Sequence, residues 1–546
     1  MPVVTFDYHE FLDLLGYDIS KEELLDRLPM IGGDLDRVEG DEISIEFFPN
    51  RPDLSSVEGI ARASRAFFGF KPGLTMYPVE ETDIVMNVEP SVKQVRPYVA
   101  CALITNVAMS DELISSLMGL QERLHLGIGR NRRRVAIGVH NYDAVQPPFT
   151  YKAVDPDAVQ FIPLAKDEPM TLREILYKHE KGIAYAHILR DVDRYPLIVD
   201  RNNNVLSFPP IINGILTEVT PYTRNIFLDV TGTNLQAVKC TLNIVATALA
   251  ERGGKIHGVN IKYSDHSEVT PDLNPNRRKL SISYVNSILG LSLDRKQIMD
   301  SLMRMEYNVK DIDDDTVEIE IPSWRADILH DIDLVEDVAV GYGYEKFEGK
   351  LPEKLTFGKP IESHEEINSL RTIMIGLGFQ EVTTFTISNE DDEFRKLSLP
   401  VGKKVEILNP IGEEYSCLRV SLLPSLLKLL AENKHHSLPQ RIFEIGVIVD
   451  ESFRNKTHLA AVEISAKASF TNCKSIIEAI MRNIGKEYVL EEKNHPAFIY
   501  GRCASVMYND EEIGFLGELH PKTIISYELE HPIIAFEFQL NKILES

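Results

Sequence analysis

The densest run of chemically capable side chains lies between Pro322 and Tyr344, where Asp327 is followed by Asp331, Asp333, Glu336 and Asp337. If a helix runs through Asp333, spacings of three and four put Asp333, Glu336 and Asp337 on neighbouring faces, with Asp327 reaching back from the preceding loop. Four carboxylates so gathered are hard oxygen ligands suited to Mg²⁺, which keeps part of its water shell and needs few protein groups, some of them open to supply by a partner chain. Acids in the first turn of a helix also satisfy orphan N–H groups and favour the macrodipole. Spacing leaves both readings open.

A second constellation runs from Leu206 to Asn213 and from Asn225 to Asn234. By pattern it is strand, turn and helix start, with Thr231 or Thr233 placed to cap a helix beginning near Leu235. Arg130, Arg132, Arg133 and Arg134 form the sharp basic cluster, able to pair with phosphate oxygens or to stand as an ordinary solvated loop. His435 and His436 are adjacent, which is poor geometry for one metal, and read as surface residues. No Ser-His-Asp or Cys-His pattern marks a nucleophile.

These side chains need elements to hold them. Ser20 and Glu23 have capping-box spacing, and a strand at 42–48 enters a stiff turn with Pro49 and Pro52 before a helix through Val57, Ile60 and Phe67. Residues 80–265 mix strands such as 135–139 with a helix from Leu235 to Glu251 that ends at two glycines. The polar stretch 264–278 reads as a linker. Beyond it, Asp294 and Gln297 cap a helix with Ile298 and Leu302 on one face, and Val317, Ile319 and Ile321 alternate as a strand, a unit resembling a winged helix-turn-helix. After a second linker at 349–360, a helix with Ile367, Leu370, Met374 and Leu377 on one face opens the last domain.

The chain has 546 residues, 44% hydrophobic and 26% charged, which implies about three or four folded domains. Its formal charge of -25 opposes a whole-surface grip on nucleic acid, so an RNA partner must meet local basic patches. Five scattered cysteines without a CxxC pair point to a reducing compartment. With no signal-like segment or long apolar span, the expectation is a cytoplasmic protein that does not enter a membrane.

The block Phe48-Pro-Asn-Arg-Pro-Asp53 with Val57-Glu-Gly-Ile-Ala-Arg62, together with Pro322-Ser-Trp-Arg-Ala-Asp-Ile328 and Asp333-Leu-Val-Glu-Asp337 ending in Gly-Tyr-Gly-Tyr344, resembles the beta subunit of phenylalanyl-tRNA synthetase. The resemblance covers essentially the whole chain. Without an inserted OB-fold module or a terminal ferredoxin-like domain, it is similar to the archaeal and eukaryotic cytosolic form. It implies an α+β multidomain fold: an N-terminal α+β structural module (1–75), a large mixed α/β editing and tRNA-binding domain (76–266), a winged-helix-like domain with the acidic cluster (267–348), and a class II synthetase-like antiparallel sheet with helices, catalytically inactive (349–546).

By that resemblance Asp327, Asp333, Glu336 and Asp337 match Mg²⁺ positions at the contact with an alpha subunit, Asp337 standing where the family often has glutamate. Ser207, Asp229 and Thr231, with Leu197 and Asn213, would line an editing pocket that hydrolyses tyrosine wrongly attached to the phenylalanine tRNA. A pocket shaped for phenylalanine discriminates weakly against an added hydroxyl, which a second pocket with hydrogen-bond partners can recover; a positioned water would then do the hydrolysis. The last domain lacks an intact Arg-x-Glu motif, since Arg441 and Glu444 are one residue too far apart, and 535–540 carries no arginine to clamp ATP phosphates. The expectation is therefore an α2β2 ligase that uses ATP, Mg²⁺ and tRNA, with this chain as scaffold and proofreader and aminoacylation on the alpha chain. Two rivals stand beside it: a free-standing hydrolase of mischarged tRNA, and a nucleic-acid-binding module built on the winged-helix-like unit. The acidic run Asp311 to Asp315 weighs against the second.

Overall fold

Alternating apolar residues and well-capped amphipathic helices fold into two units, residues 1–350 and 351–546, in a computed structural model that describes residues 3–351, 356–361 and 363–544. Part of the expected linker 349–360 lies outside the described residues.

The first unit begins with strands Val3–Asp7, Gly33–Glu39 and Glu42–Phe47, the last of them central and antiparallel to both. Ser56 accepts from Gly59 N to start the helix Val57–Phe67. That helix is buried nearly all round, so it is a core element rather than an amphipathic cover. Gly59 is required there: a Cβ would run into the Asp53 carbonyl.

The next sheet explains the middle of the chain. In spatial order its strands are Ile212–Asn213, Val205–Phe208, Tyr195–Val199, Phe149–Val154, Val85–Val88, Lys255–Lys262, Tyr98–Thr105, Ile226–Gly232 and Val135–Asn141. Its two ends curl together, because Asn213 Nδ2 at one end donates to the Val139 carbonyl at the other, 3.3 Å away. The free edge at Val135–Asn141 is also covered, Gln121 Nε2 donating to Ile137 O and His125 Nε2 accepting from Ile137 N; side chains of the helix Asp111–Leu126 thus blunt an edge open to further pairing. The helix Leu235–Glu251 packs its apolar residues against the same sheet, and its cap is Asn234 rather than either threonine.

The stretch 264–278 is not a loose linker. Ser267–Thr270 pairs with Lys255–Lys262, and Asn276–Ser281 opens the next sheet. Thr270 is held because its hydroxyl both donates to Cys101 O and accepts from Cys101 N. Thr316–Ile321 then lies between Asn276–Ser281 and Asn308–Asp311, with helices Ile282–Leu289, Arg295–Arg304 and Asp331–Tyr342 beside it; the Asp294/Gln297 capping box is present. Apolar side chains of this unit and of the N-terminal module form one continuous core, from Phe6 and Ile45 to Ile298, Ile319 and Leu334.

The second unit is a seven-stranded sheet, Gln380–Glu381, Gln440–Val449, Asn455–Ile464, Ile533–Gln539, Glu511–Leu519, Phe498–Tyr508 and Val489–Glu492 in order. All pairings are antiparallel except the first. Helix Leu423–Glu432 lies in one apolar cluster, and Ser363–Gly376 and Phe470–Asn483 in another. All five cysteines are free and buried. Among the described residues, no helix is long and apolar enough to cross a membrane.

Candidate functional site

The closure of the large sheet creates a cavity of about 150 Å³, room for roughly one aromatic group of benzene size. Period-two geometry decides its wall. Asp229 lies opposite Gly138, and Thr231 opposite Ala136, so these four residues share one face. Val205–Phe208 brings Ser207 from the other end of the sheet, and Ser207, Asp229, Thr231 and Asn213 all reach the cavity beside Phe208, Pro209 and Ile212. Leu197 does not: it is fully buried in the apolar core that includes Phe161 and Phe208.

The polar groups are organised by residues that the sequence did not single out. His140 Nε2 lies 2.6 Å from Asp229 Oδ2 and its Nδ1 2.8 Å from Thr217 Oγ1, while Ser207 Oγ donates to the same Oδ2 at 3.3 Å. Gly138 makes this possible, since a Cβ there would intrude on Asp229 Oδ2 and come within 2.6 Å of His140 Nε2. Arg96 Nε donates to Thr231 Oγ1 at 2.9 Å and its Nη2 to Thr231 O at 2.8 Å; burial pulls this guanidinium down to about 10. His125, also on the wall, is held well below the usual imidazole range by burial and then by Arg132, consistent with its Nε2 acting as an acceptor. His140 and Asp229 pair only through strand register, a relation with no signature in residue spacing.

Of the basic cluster, Arg132 alone turns inward. It donates to Ile211 O at 3.0 Å and to Glu122 at 2.8 Å and lies over the Tyr185 ring. Arg130 and Arg133 are exposed, and Arg134 is half-buried. His435 and His436 are exposed.

The acidic cluster is arranged around an arginine. Arg325 is buried and pairs with Asp327 through Nε and Nη2 at 2.8 and 2.7 Å, and Nη2 also meets Asp337 Oδ2 at 2.7 Å; Tyr307 O–H donates to Asp337 as well. Asp333 Oδ2 accepts from Leu329 N and His330 N at 2.7 and 2.6 Å, which is the capping role. Glu336 is exposed. Among the described residues no three His, Cys, Asp or Glu side chains enclose a cation position. The four carboxylates are oxygen donors of the kind Mg²⁺ takes, and two of them, Asp327 and Asp337, are engaged by the Arg325 guanidinium. Nearby, Arg51 chelates Asp53 at 2.9 and 2.7 Å; burial works to raise the Asp53 carboxyl, and the Arg51 and Arg325 charges override it and hold it low.

In the second unit the polar residues over the sheet are internally paired. Arg419 meets Glu444 at 2.9 Å and Arg441 meets Glu463 at 2.9 Å. Glu537 accepts from Ser421 and Leu422 and lies 2.7 Å from His458 Nδ1.

Comparison with known proteins gives a consistent result. The family model "Phenylalanyl tRNA synthetase beta chain CLM domain" matches residues 349–540, and "tRNA synthetase B5 domain" matches 278–344. The chain is 45% identical over 542 residues to the phenylalanine–tRNA ligase beta subunit of Methanothrix thermoacetophila, covering 99% of this chain and all of that one. It is 44% identical over 549 residues to that of Archaeoglobus fulgidus, covering 100% and 99%. An N-terminal fragment of the phenylalanyl-tRNA synthetase beta subunit from Pyrococcus horikoshii superposes with a TM-score of 0.60 at 39% identity, over 62% of this chain and 99% of the fragment.

Proposed function

The chain belongs to the phenylalanyl-tRNA synthetase beta-subunit family in its archaeal form, and from that premise we propose how it divides the work of the ligase with its alpha partner. It is a subunit of a phenylalanine–tRNA ligase, an aminoacyl-tRNA synthetase. The alpha chain carries the step in which phenylalanine and ATP yield charged tRNA, AMP and diphosphate, in a cytoplasmic α2β2 assembly. The second unit is a class II synthetase-like fold without catalytic function. Arg419 and Arg441, the arginines a phosphate clamp would need, are engaged by carboxylates instead. The Asp327, Asp333, Glu336 and Asp337 set would hold Mg²⁺ with alpha-subunit ligands, supplying charge neutralisation at that contact.

Editing belongs to this chain. The observation that carries the reading is the convergence of Ser207, Asp229 and Thr231 on one cavity. Both contacts to Asp229 use Oδ2, so the other carboxylate oxygen can accept a hydrogen bond from the phenol O–H of a tyrosyl group. A phenylalanyl group in the same place leaves that second oxygen without a donor, which penalises it strongly. Arg96 donates to Thr231 Oγ1, so the threonine O–H can donate onward to a water or to the ester.

The test uses the assembled enzyme. Phenylalanine-dependent exchange of pyrophosphate into ATP is expected only after alpha chain is added, and wild-type holoenzyme is expected to deacylate Tyr-tRNA(Phe) about 10²-fold faster than Asp229→Ala. Exchange by this chain alone would refute the inactive second unit, and equal deacylation would refute the pocket.

A further inference from the structure

Beside the editing cavity lies a second, open cleft of about 890 Å³, walled by Arg130, Asn131, Arg133, Arg134, Tyr185 and His187. The two spaces share a wall. In the loop 130–134, Arg132 points into the first cavity and fastens its floor through the Ile211 carbonyl, while Arg130, Arg133 and Arg134 line the cleft. Arg96 ties the same loop to the pocket, its Nη1 donating to Arg133 O while Nε holds Thr231. Tyr185, under Arg132, belongs to the cleft.

In a chain with a formal charge of -25, no ion pair within 4 Å engages Arg130, Arg133 or Arg134 among the described residues, so their charges stand uncompensated over the cleft. The helix that starts at the cleft, Leu235–Glu251, has no acid in its first turn, so its positive end adds to theirs. Arg130, Asn131 and Arg132 all have positive φ, at 48°, 53° and 65°. Three consecutive non-glycine residues in the left-handed region cost conformational energy, and such strain collects where a ligand is held.

We propose that this cleft binds the phosphodiester backbone of the single-stranded 3′ end of the tRNA, with Tyr185 offering a face for base stacking, and so delivers the ester into the Ser207 and Asp229 cavity. It deepens the editing reading and rests on it. Guanidinium forks suit phosphate oxygens, and an aromatic face beside a basic groove is the general means of holding a single strand. Arg132 is a positioning residue that sets the distance between cleft and cavity.

The experiment uses holoenzyme carrying Arg130→Gln, Arg133→Gln and Arg134→Gln together, and the corresponding triple Lys variant. The probe is an acceptor-stem RNA whose 3′ adenosine carries tyrosine through a non-hydrolysable amide; the control ligand is the same tyrosylamido adenosine without phosphates. The Gln variant is expected to lower the slope of log Kd against log salt by about 2, near 0.7 per lost single-strand contact, and to raise KM for Tyr-tRNA deacylation roughly 10-fold or more. The Lys variant keeps most of the slope, and the phosphate-free ligand shifts by less than about twofold. An unchanged slope and KM would overturn the cleft while deacylation by wild type upheld the pocket. Equal loss of both ligands, with a lowered Tm, would overturn it as a structural effect. No deacylation by wild type would refute the pocket and the delivery role with it.

Discussion

Replacing Gly138 by alanine tests whether the cavity geometry does the chemistry assigned to it. The added Cβ would intrude on Asp229 Oδ2 and sit 2.6 Å from His140 Nε2 and 2.8 Å from Asp229 Cγ, where ordinary contact begins at 3.4 Å. Both partners must retreat, His140 Nε2 by about 0.8 Å, the gap between 2.6 and 3.4 Å, and Asp229 Oδ2 by more. Both are buried and joined at 2.6 Å, and the strand pairing of Gly138 with Asp229 prevents the backbone from absorbing the shift. Loss of a buried charged hydrogen bond costs about 1.5–3 kcal/mol, and a misplacement near 1 Å costs about 10²-fold in rate. Gly138→Ala holoenzyme is therefore expected to deacylate Tyr-tRNA(Phe) about 10²-fold more slowly, with phenylalanylation by the same preparation retained. The assay is single-turnover release of labelled tyrosine from pre-charged tRNA. Wild-type deacylation by a folded Gly138→Ala enzyme would refute the role of the Asp229 and His140 arrangement.

Burial pushes the Glu393 carboxyl up from 4.5 to about 7, against hydrogen bonds from Val420 N and Ser421 N. A raised acid is a source of stability in its neutral form, fully present below about 4.5 and lost as pH climbs through about 7. Glu393→Gln is thus expected to gain on wild type by on the order of 3 kcal/mol between pH 5 and pH 8, read as the difference in Tm across that range, and a difference independent of pH would contradict it. Arg325→Met leaves Asp327 and Asp337 buried without their cation and should destabilise by about 3–5 kcal/mol, with Asp337→Asn restoring part of the loss; denaturant melts check both. Asp333→Ala removes an acceptor from two backbone N–H groups, worth about 1 kcal/mol, and combined with Glu336→Ala should weaken Mg²⁺-dependent assembly with the alpha chain. Unchanged Mg²⁺ dependence would leave capping as the whole role of Asp333.

Local chemistry was legible wherever a signal is confined to a few neighbouring residues. Capping at Ser20 and Asp294, the helix Leu235–Glu251 and the strand Thr316–Ile321 follow from side chains that act on their own backbone or alternate along it. The candidate residues Ser207, Asp229, Thr231 and Asn213 come from family resemblance, and they line one cavity. Leu197 shares their sheet but is buried in the core, because on a strand a residue's face is decided by register and neighbours rather than by its type.

What the sequence determined by itself was the set of capped helices, alternating strands and motif blocks, since each depends on interactions within a turn or two of chain. Tertiary structure alone decided the rest. It turned parts of the expected linker 264–278 into strands by supplying Lys255–Lys262 as partner to Ser267–Thr270 and Thr316–Ile321 as partner to Asn276–Ser281, and set Arg325 between Asp327 and Asp337, where spacing had suggested only carboxylates. It also set His140 against Asp229, 89 residues apart in sequence, and parted Arg132 from the arginines beside it. These outcomes depend on which strands lie side by side and which side chains lose their water together, and neither quantity exists until the chain has closed on itself.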